Sequence, residues 1–158
     1  MSGETKNINE ANEILQLVSF KIGNEEFGVD ILKVQEINKM VEITKMPNSP
    51  HFVEGVINLR GKVIPVVDLR KRLGLNAVEK TKDTRIIIVE VEGKIIGFIV
   101  DSVSEVLRIP ANITEAPPEI ATGINSDFIM SVGKLEDRLL ILIDLNKILS
   151  LDEKNSIS

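Results

Sequence analysis

Cysteine is absent from this 158-residue chain, and histidine occurs only once, as His51. These two facts exclude a disulfide framework, a cysteine nucleophile, a thiolate zinc site and a metal site with several histidine ligands. Tryptophan and tyrosine are also absent and there are five phenylalanines, so the core must consist mainly of Ile, Val and Leu. Because β-branched side chains pack well on a pleated surface, this composition favours β-structure.

Basic residues are outnumbered by acidic ones, 19 against 24, and the two signs are interspersed along the chain. The chain therefore offers no basic stripe for a phosphate backbone, and its few aromatic rings offer few platforms for stacked bases. No apolar run approaches the roughly eighteen residues that a membrane span requires, and the polar N-terminus lacks the apolar segment of a signal peptide. We expect a cytoplasmic protein that binds no nucleic acid and does not insert directly into a membrane.

Alternating apolar and polar residues indicate strands that meet at short turns. Val18, Phe20 and Ile22 point to one side of a first strand, and Gly23-Asn24 follows as a tight turn. Glycine supplies the positive φ that another two-residue turn needs at Glu92-Gly93. The further strand pairs are predicted at residues 85–91 with 94–100, at 55–58 with 62–67 across Leu59-Arg60-Gly61, and at 129–135 with 138–143.

Two short helices are predicted directly after strands. Asp68 and Asp144 each stand where a helix N-cap is expected. The first helix should stop at Gly74 and the second at Leu149, since glycine favours the C-terminal end of a helix. The two aspartates are therefore expected to accept hydrogen bonds from the first backbone N–H groups of their helices.

Proline limits where the strands can run. Pro65 cannot donate a hydrogen bond to a ladder, so we expect it at a sheet edge or at a bulge. Prolines 110, 117 and 118 predict an irregular loop between Ile109 and Asp127.

Two halves of the chain resemble each other. Residues 27–37 resemble residues 96–106, and residues 63–69 match residues 139–145 in the same order. This arrangement indicates an internal duplication. It predicts two related β-barrels of about five strands each, because closure removes exposed sheet edges. In the first match the equivalent pairs are Gly28 with Gly97, Val34 with Val103, Glu36 with Glu105, and Ile37 with Val106.

Groups that could perform catalysis are few. Asp68 and Asp144 are explained by helix capping and Asp101 by a turn at the end of a strand, while His51 has no serine or carboxylate at a triad spacing. We therefore expect a protein that is not an enzyme. The alternative is a hydrolase or ligand-binding barrel that uses Asp101 and Asp144, which should present a concave polar pocket.

A set of aliphatic residues has two open interpretations. Three of them recur every third position after Asp30, a spacing that fits neither a regular strand nor a long helix. The set lines either the core or an exposed binding groove. Arg60 is likewise either a solvated surface charge or a fork of donors for a partner. The aliphatic residues are Val18, Ile31, Val34, Ile37 and Val103.

Several segments carry a pattern shared with a known family. They are Phe-Gly-Val-Asp-Ile at 27–31, Val-Gln-Glu-Ile at 34–37, the block FVEGVINLRGKVIPVVDL at 52–69, and residues 100–103 and 140–144. Together they closely resemble the chemotaxis coupling protein (CheW) family, over about residues 14–151. The long central block makes the resemblance specific. Phe27 stands where the family often has tyrosine, a departure that removes one hydroxyl.

The resemblance implies an all-β fold of two SH3-like five-stranded β-barrel subdomains. The first should span about residues 24–80 and the second about 81–151, with the strand 14–22 near their seam. Flexible tails are expected at 1–13 and 152–158. Within the same fold, the alternative is a free-standing relative of the adaptor half of CheV, whose phosphorylatable receiver domain we do not expect after residue 151.

The resemblance also implies a role and partners. Members of the family are non-enzymatic adaptors that use no cofactor and couple methyl-accepting chemoreceptors to the histidine kinase CheA. They bind the C-terminal regulatory domain of CheA and the cytoplasmic tips of the receptors. We expect a monomer when alone, arrays with partners, and recruitment from the cytoplasm to membrane-associated receptor arrays.

Two surfaces are implied by position in the family motifs. The glycines of the second surface are expected to act indirectly, by setting the shape of the backbone. The receptor-binding residues are Val18, Ile31, Val34, Glu36, Ile37, Arg60 and Val103; the kinase-binding residues are Lys39, Met40, Val41, Thr44, Lys45, Gly55 and Gly61.

Overall fold

The computed structural model of the chain describes residues 13–115 and 126–148. Within these ranges the strands are β1 (Ile14–Ile22), β2 (Glu25–Asp30), β3 (Val34–Lys39), β4 (Val53–Leu59), β5 (Lys62–Asp68), β6 (Arg85–Val91), β7 (Lys94–Val100), β8 (Ser102–Pro110), β9 (Thr114–Glu115), β10 (Ile129–Lys134) and β11 (Leu139–Ile143). The α-helices are α1 (Leu69–Arg72) and α2 (Leu145–Ile148), and 3-10 helices span Ile31–Lys33, Ala111–Ile113 and Ser126–Phe128. Leu149 and the expected tails, apart from Glu13, lie outside the described residues.

The hairpins predicted at Gly23-Asn24 and Glu92-Gly93 are confirmed, with two-residue turns between β1 and β2 and between β6 and β7. Glu92 and Gly93 both have positive φ, 52° and 80°, as a type I′ turn requires. The turn between β4 and β5 has the same form, with φ of 51° at Arg60 and 84° at Gly61. It is one residue shorter than predicted, because β4 continues through Leu59.

Both predicted helix caps are confirmed. The Asp68 carboxylate accepts a hydrogen bond from the backbone N–H of Arg70 at 3.0 Å, and Asp144 accepts one from Asn146 at 3.0 Å. Each helix therefore begins where the sequence placed it, since an N-cap side chain satisfies a donor that the helix itself leaves unpaired. Gly74 follows α1 with a φ of 83°.

Pro65 is not at a sheet edge; the expected alternative, a bulge, lies beside its partner Val56, between Val53 and Gly55. Pro65 lies in β5, between β4 and β7. Val56 of β4 lies opposite Pro65, and its N–H and C=O form two backbone hydrogen bonds with Thr44, each 2.9 Å long. The Val56–Pro65 pair therefore exchanges no backbone hydrogen bonds. Pairing with β7 begins only at Val66. The strand therefore accommodates Pro65 because no ladder bond is required of its nitrogen.

The irregular loop predicted from Ile109 to Asp127 is wrong at its start. Strand β8 continues to Pro110, and β9 pairs with β10. Strand β8 is the edge of its sheet, where proline is tolerated. Residues 116–125 lie outside the described part of the chain.

The described strands form two mixed sheets, which confirms the all-β fold class. The six-stranded sheet has the order β8-β1-β2-β11-β10-β9, and the five-stranded sheet has the order β3-β6-β7-β5-β4. In each sheet one parallel pair lies among antiparallel pairs, β11 with β2 and β5 with β7. This topology is compatible with two SH3-like subdomains.

The internal duplication is visible in the strand pairing. Gly28 pairs with Leu142 in one sheet, and Gly97 pairs with Val66 in the other. These four residues occupy matching positions in the two sequence repeats, so the repeats build equivalent sheets. The hairpin β1–β2 lies in one sheet with β10 and β11, which come late in the chain. The hairpin β6–β7 lies in the other sheet with β3, β4 and β5, so the two hairpins are exchanged between the sheets.

This exchange differs from the predicted division of the chain near residue 80. The sequence placed β2 in the first subdomain and β6 and β7 in the second. In the structure β2 pairs with β11, whereas β6 pairs with β3 and β7 pairs with β5. Neither sheet is therefore built from one uninterrupted half of the sequence.

Three apolar clusters form the core, and the central one joins the two sheets. The central cluster contains residues from both sheets, among them Phe20, Phe27 and Phe98. A second cluster lies on the five-stranded sheet around Ile86, and a third on the six-stranded sheet around Leu140. Each sheet therefore carries apolar packing on both faces, which explains the almost continuous apolar runs of β6, β7 and β11.

Candidate protein-binding surfaces

The candidate receptor-binding residues lie mainly along two edge strands. Ile31 stands in the 3-10 helix before β3, where the Asp30 carboxylate accepts a hydrogen bond from the backbone N–H of Leu32 at 2.9 Å. Val34 and Ile37 follow on β3, the edge of the five-stranded sheet, and Val103 lies on β8, the edge of the six-stranded sheet. The two strands hold equivalent positions in the duplicated units.

The exposure of these residues differs. Ile37 is 40% exposed, whereas Ile31, Val34 and Val103 are half-buried and pack against the central cluster. Val18 is 2% exposed and belongs to that cluster. The family resemblance implied a place for Val18 in the receptor-binding surface, but β1 lies between β2 and β8 and directs this side chain inward.

Glu36 and Arg60 form an ion pair beside Ile37. An Arg60 guanidinium nitrogen contacts one Glu36 carboxylate oxygen, and the Asn38 side-chain amide donates to the other at 2.9 Å. Arg60 stands at a positive φ in its turn, and the Asn58 side chain accepts from the N–H of Gly61 at 2.9 Å. The turn thus carries a guanidinium that is 73% exposed.

The ion pair also affects ionisation. Hydrogen bonds from Arg60 and then Asn38 lower the pKa of the Glu36 carboxyl, and the bond to Glu36 raises the pKa of Arg60. Both groups therefore stay charged across the neutral range. The surface beside Ile37 therefore carries one paired negative and positive charge.

The second repeat contains equivalents that the sequence-based site omitted. Val106 is the counterpart of Ile37 and is 54% exposed on β8. Glu105 is the counterpart of Glu36, and its carboxylate lies 3.7 Å from an Arg138 guanidinium nitrogen. The alignment of the two repeats contained this signal, because it already matched these positions.

The candidate kinase-binding residues lie mostly in the segment between β3 and β4. Lys39 ends β3 and is exposed, Val41 is 45% exposed, and Lys45 is exposed. Met40 is half-buried against the second cluster. Thr44 forms an isolated bridge with Val56 of β4, which holds the segment against the sheet.

The two candidate glycines occupy different places. Gly55 is buried with a φ of 148°, and a Cβ there would lie 2.1 Å from the backbone oxygen of Thr44. Gly61 lies in the turn beside Arg60, where a Cβ would meet open space, and so adjoins the receptor-side residues. Gly55 is therefore in place to shape the kinase-side segment, while Gly61 is not part of it.

The carboxylates considered for catalysis do not converge. Asp101 binds Arg70 and accepts from the backbone N–H of Gly23 at 2.7 Å, whereas Asp144 caps α2. Asp68 and Asp101 line a cavity of only about 20 Å³. The exposed His51 ring contacts Phe52 edge-on. Residues 13–115 and 126–148 contain no cluster of acids and histidines able to hold a metal ion, and no helix that could cross a membrane.

The fold is that of a duplicated all-β domain with apolar side chains exposed on its edge strands. A family model, the CheW-like domain, matches residues 16–153. The chain belongs to this family and so to the scaffold proteins of chemotaxis.

Known proteins similar to this chain support the assignment. Chemotaxis protein CheW of Klebsiella aerogenes is 38% identical over 87% of this chain and 83% of its own length. Chemotaxis protein CheW of Bacillus subtilis is 35% identical over 89% and 90%. The crystal structure of the scaffolding protein TtCheW from Thermoanaerobacter tengcongensis has a TM-score of 0.83 at 44% identity, covering 89% of this chain and 96% of that one.

Proposed function

We propose that this chain is a non-enzymatic adaptor that couples methyl-accepting chemoreceptors to the histidine kinase CheA. Its membership of a scaffold family supports this role. The observation that carries it is Ile37, an apolar side chain exposed on an edge strand beside the fixed Glu36–Arg60 pair. An apolar anchor with a polar rim gives a docking site both affinity and register.

The receptor surface is centred on β3. The cytoplasmic tip of a receptor is a helical hairpin, and a helix packs a few apolar anchors into a groove. Ile37 supplies the exposed anchor, Ile31, Val34 and Val103 the half-buried floor, and Val18 supports this floor from the core. Glu36 and Arg60 orient the receptor at the rim, and Val106 extends the surface along β8.

The kinase surface is the segment from Lys39 to Lys45, which binds the C-terminal regulatory domain of CheA. Val41 and the half-buried Met40 provide apolar contact, and the two lysines flank them. Thr44 and Gly55 set the path of the segment through their close backbone approach. Gly61 acts through the turn that presents Arg60.

The adaptor works without a cofactor and is a monomer when alone. It is cytoplasmic and joins receptor arrays at the membrane through its partners. Individual contacts need only be weak, because each bond in an array holds the next partner at high effective concentration.

The receptor surface is tested by Ile37→Asp, with Val63→Asp as the matched control because Val63 is 70% exposed on β5. Co-sedimentation with a receptor cytoplasmic fragment and CheA measures binding. We expect receptor binding to fall roughly tenfold in Ile37→Asp, because a charge replaces an anchor, and to be unchanged in the control. Equal binding by both variants would contradict the assignment. Val34→Asp is a poorer probe, since Val34 also contacts the core.

The polar rim is tested by Arg60→Ala, with the exposed neighbour Lys62→Ala as the control. We expect Arg60→Ala to reduce kinase stimulation in the ternary assembly while thermal stability changes little, because the Arg60 side chain is largely exposed. Kinase activity equal to that of the wild type would remove Arg60 from the site.

A further inference from the structure

The duplication builds an equivalent cleft in each half, and the first cleft is filled by the chain itself. After α1 the chain turns at Gly74, and Val78, Glu79 and Lys80 run past the start of the helix. Only about 20 Å³ of cavity remains between this segment and the walls. Lys80 lies 3.9 Å from the Glu54 carboxylate. The walls of this first cleft are Asp68, Arg70, Thr84, Ile99 and Asp101.

The second cleft has the equivalent walls, and among residues 13–115 and 126–148 no segment fills it. By the strand register and the matched repeats, these walls are Asp144, Asn146, Leu15, Asp30 and Leu32. They line two adjoining cavities of about 270 and 250 Å³ that share Asp30, Met130 and Ile143. Between the described residues, the same architecture therefore leaves far more space in the second cleft than in the first.

The walls of the second cleft are mainly apolar and acidic, with Glu13, Asp30 and Asp144 against one lysine, Lys33. Leu32 is 88% exposed, Met130 56% and Ile14 47%. Asp30 and Asp144 cap their helices, and no cation of the described residues lies within ion-pair distance of either. In the first cleft Arg70 pairs with Asp101, whereas Asn146 stands in the position of Arg70 here.

We propose that the second cleft is a docking site for an extended segment of another protein in which an apolar side chain stands next to Lys or Arg. The filled first cleft shows the shape of such an occupant, and the unpaired acids and exposed aliphatic side chains of the second define its chemistry. The site goes beyond the receptor and kinase surfaces and borders the former at Ile31.

The sequence of this chain after α2 is a poor match for the same cleft. Aligned with Asn76-Ala77-Val78, it has Asp152-Glu153-Lys154. This stretch carries two carboxylates, which have the same charge as the acids of the cleft, and a lysine instead of an apolar residue at the position aligned with Val78. A basic segment supplied by another protein has the complementary charge.

The test uses fluorescence anisotropy of the full chain with a labelled, end-blocked octapeptide of alternating Val and Lys. Two control peptides replace every Lys by Glu or every Val by Ser. We expect saturable binding of the Val-Lys peptide, roughly tenfold tighter than that of either control, because both apolar burial and charge contribute. Absent saturation, or equal binding of the Glu peptide, would overturn the proposal.

Variants then locate the binding. Asp30→Asn keeps an acceptor for the N–H of Leu32 but removes the negative charge. Leu32→Lys gives the cleft a positive charge, which repels the lysines of the peptide. Each variant should weaken binding roughly fivefold or more. The matched controls, Glu90→Gln and Val63→Lys, are exposed elsewhere and should bind as the wild type does. Equal losses in the controls would overturn the assignment to the cleft. Tighter peptide binding by Leu151→Ser would instead identify the chain's own residues after α2 as the occupant.

Discussion

At the scale of single residues, Arg70 ties together parts of the chain that are distant in sequence. Its guanidinium contacts the Asp101 carboxylate at 2.9 and 2.5 Å and donates to the backbone oxygen of Asn76 at 3.1 Å. Asp101 also accepts from the backbone N–H of Gly23 in the β1–β2 turn. A helix, a hairpin turn and the end of β7 therefore share one charged contact.

This contact predicts a pH-dependent stability. The hydrogen bond from Arg70, followed by that from Gly23, lowers the pKa of Asp101. A depressed carboxyl pKa stabilises the fold above the ordinary aspartate pKa, and the stabilisation is lost as pH falls through the lowered value. Asp101→Asn should therefore lose about 1–2 kcal/mol of unfolding free energy at neutral pH, with a shrinking difference in acid.

Denaturant unfolding across the acid range measures this difference. Glu90→Gln is the matched control, because Glu90 is exposed on β6 and its loss of charge should change stability little at any pH. A difference between Asp101→Asn and the wild type that stays constant down to strongly acidic pH would show that the charge of Asp101 is not responsible.

At the scale of secondary-structure elements, Gly55 governs how the segment before β4 meets the sheet. A Cβ at this position would lie 2.1 Å from the Thr44 oxygen and 2.9 Å from Ile43, and the φ of 148° is one that other residues rarely adopt. The close approach allows Thr44 to bond to Val56 on both sides of the bridge. The glycine is thus required by a backbone contact, not by a turn.

Gly55→Ala should lower the free energy of unfolding by about 2 kcal/mol or more, because both the clash and the backbone strain must be relieved. Gly61→Ala is the control: its Cβ meets open space, so only the strain of a positive φ remains, about 1 kcal/mol. Chemical denaturation of the two variants compares them. Equal losses of unfolding free energy in the two variants would show that the Thr44 segment moves aside for a methyl group at little cost.

Hairpins and helix caps could be predicted from the sequence because their causes are local. Gly93 and Gly61 supply positive φ within their own turns, and Asp68 and Asp144 cap the residues that follow them. The pairing of the hairpins could not be predicted in this way, since nothing in the sequences of β2 and β7 says which sheet each strand joins. Val18 shows the same limit: alternation gives the face of β1 on which it lies, but burial depends on what β8 and β2 cover.

At the scale of the whole molecule, the two repeats meet at Arg72. Its Nε donates to the backbone oxygen of Ile148 at 2.6 Å, joining the ends of α1 and α2. The guanidinium lies 4.8 Å from the Phe52 ring centroid and 4.3 Å from that of Phe128. The two phenylalanines hold equivalent positions. The backbone oxygen of Phe52 accepts a hydrogen bond from the backbone N–H of Asp68, and that of Phe128 accepts one from the backbone N–H of Asp144.

The exchanged hairpins and this junction predict that the two sheets unfold as one unit. Pulling β6 and β7 out of the five-stranded sheet removes strands that also bury Phe98 in the central cluster, so neither sheet can keep its core alone. Native-state hydrogen exchange should give the slowest amides of β6 and β11 the same opening free energy, within about 0.5 kcal/mol.

Arg72→Met should lower both opening free energies together by about 2 kcal/mol, since it removes a charged hydrogen bond and two cation–π contacts. Arg72→Lys should fall between Met and the wild type, because an ammonium keeps the charge but not the planar stacking. The opposite outcome is that the opening free energies of β6 and β11 differ and that Arg72→Met lowers only one of them. The two sheets would then be independent folding units. We expect both opening free energies to fall together because the central cluster is built from residues of both sheets.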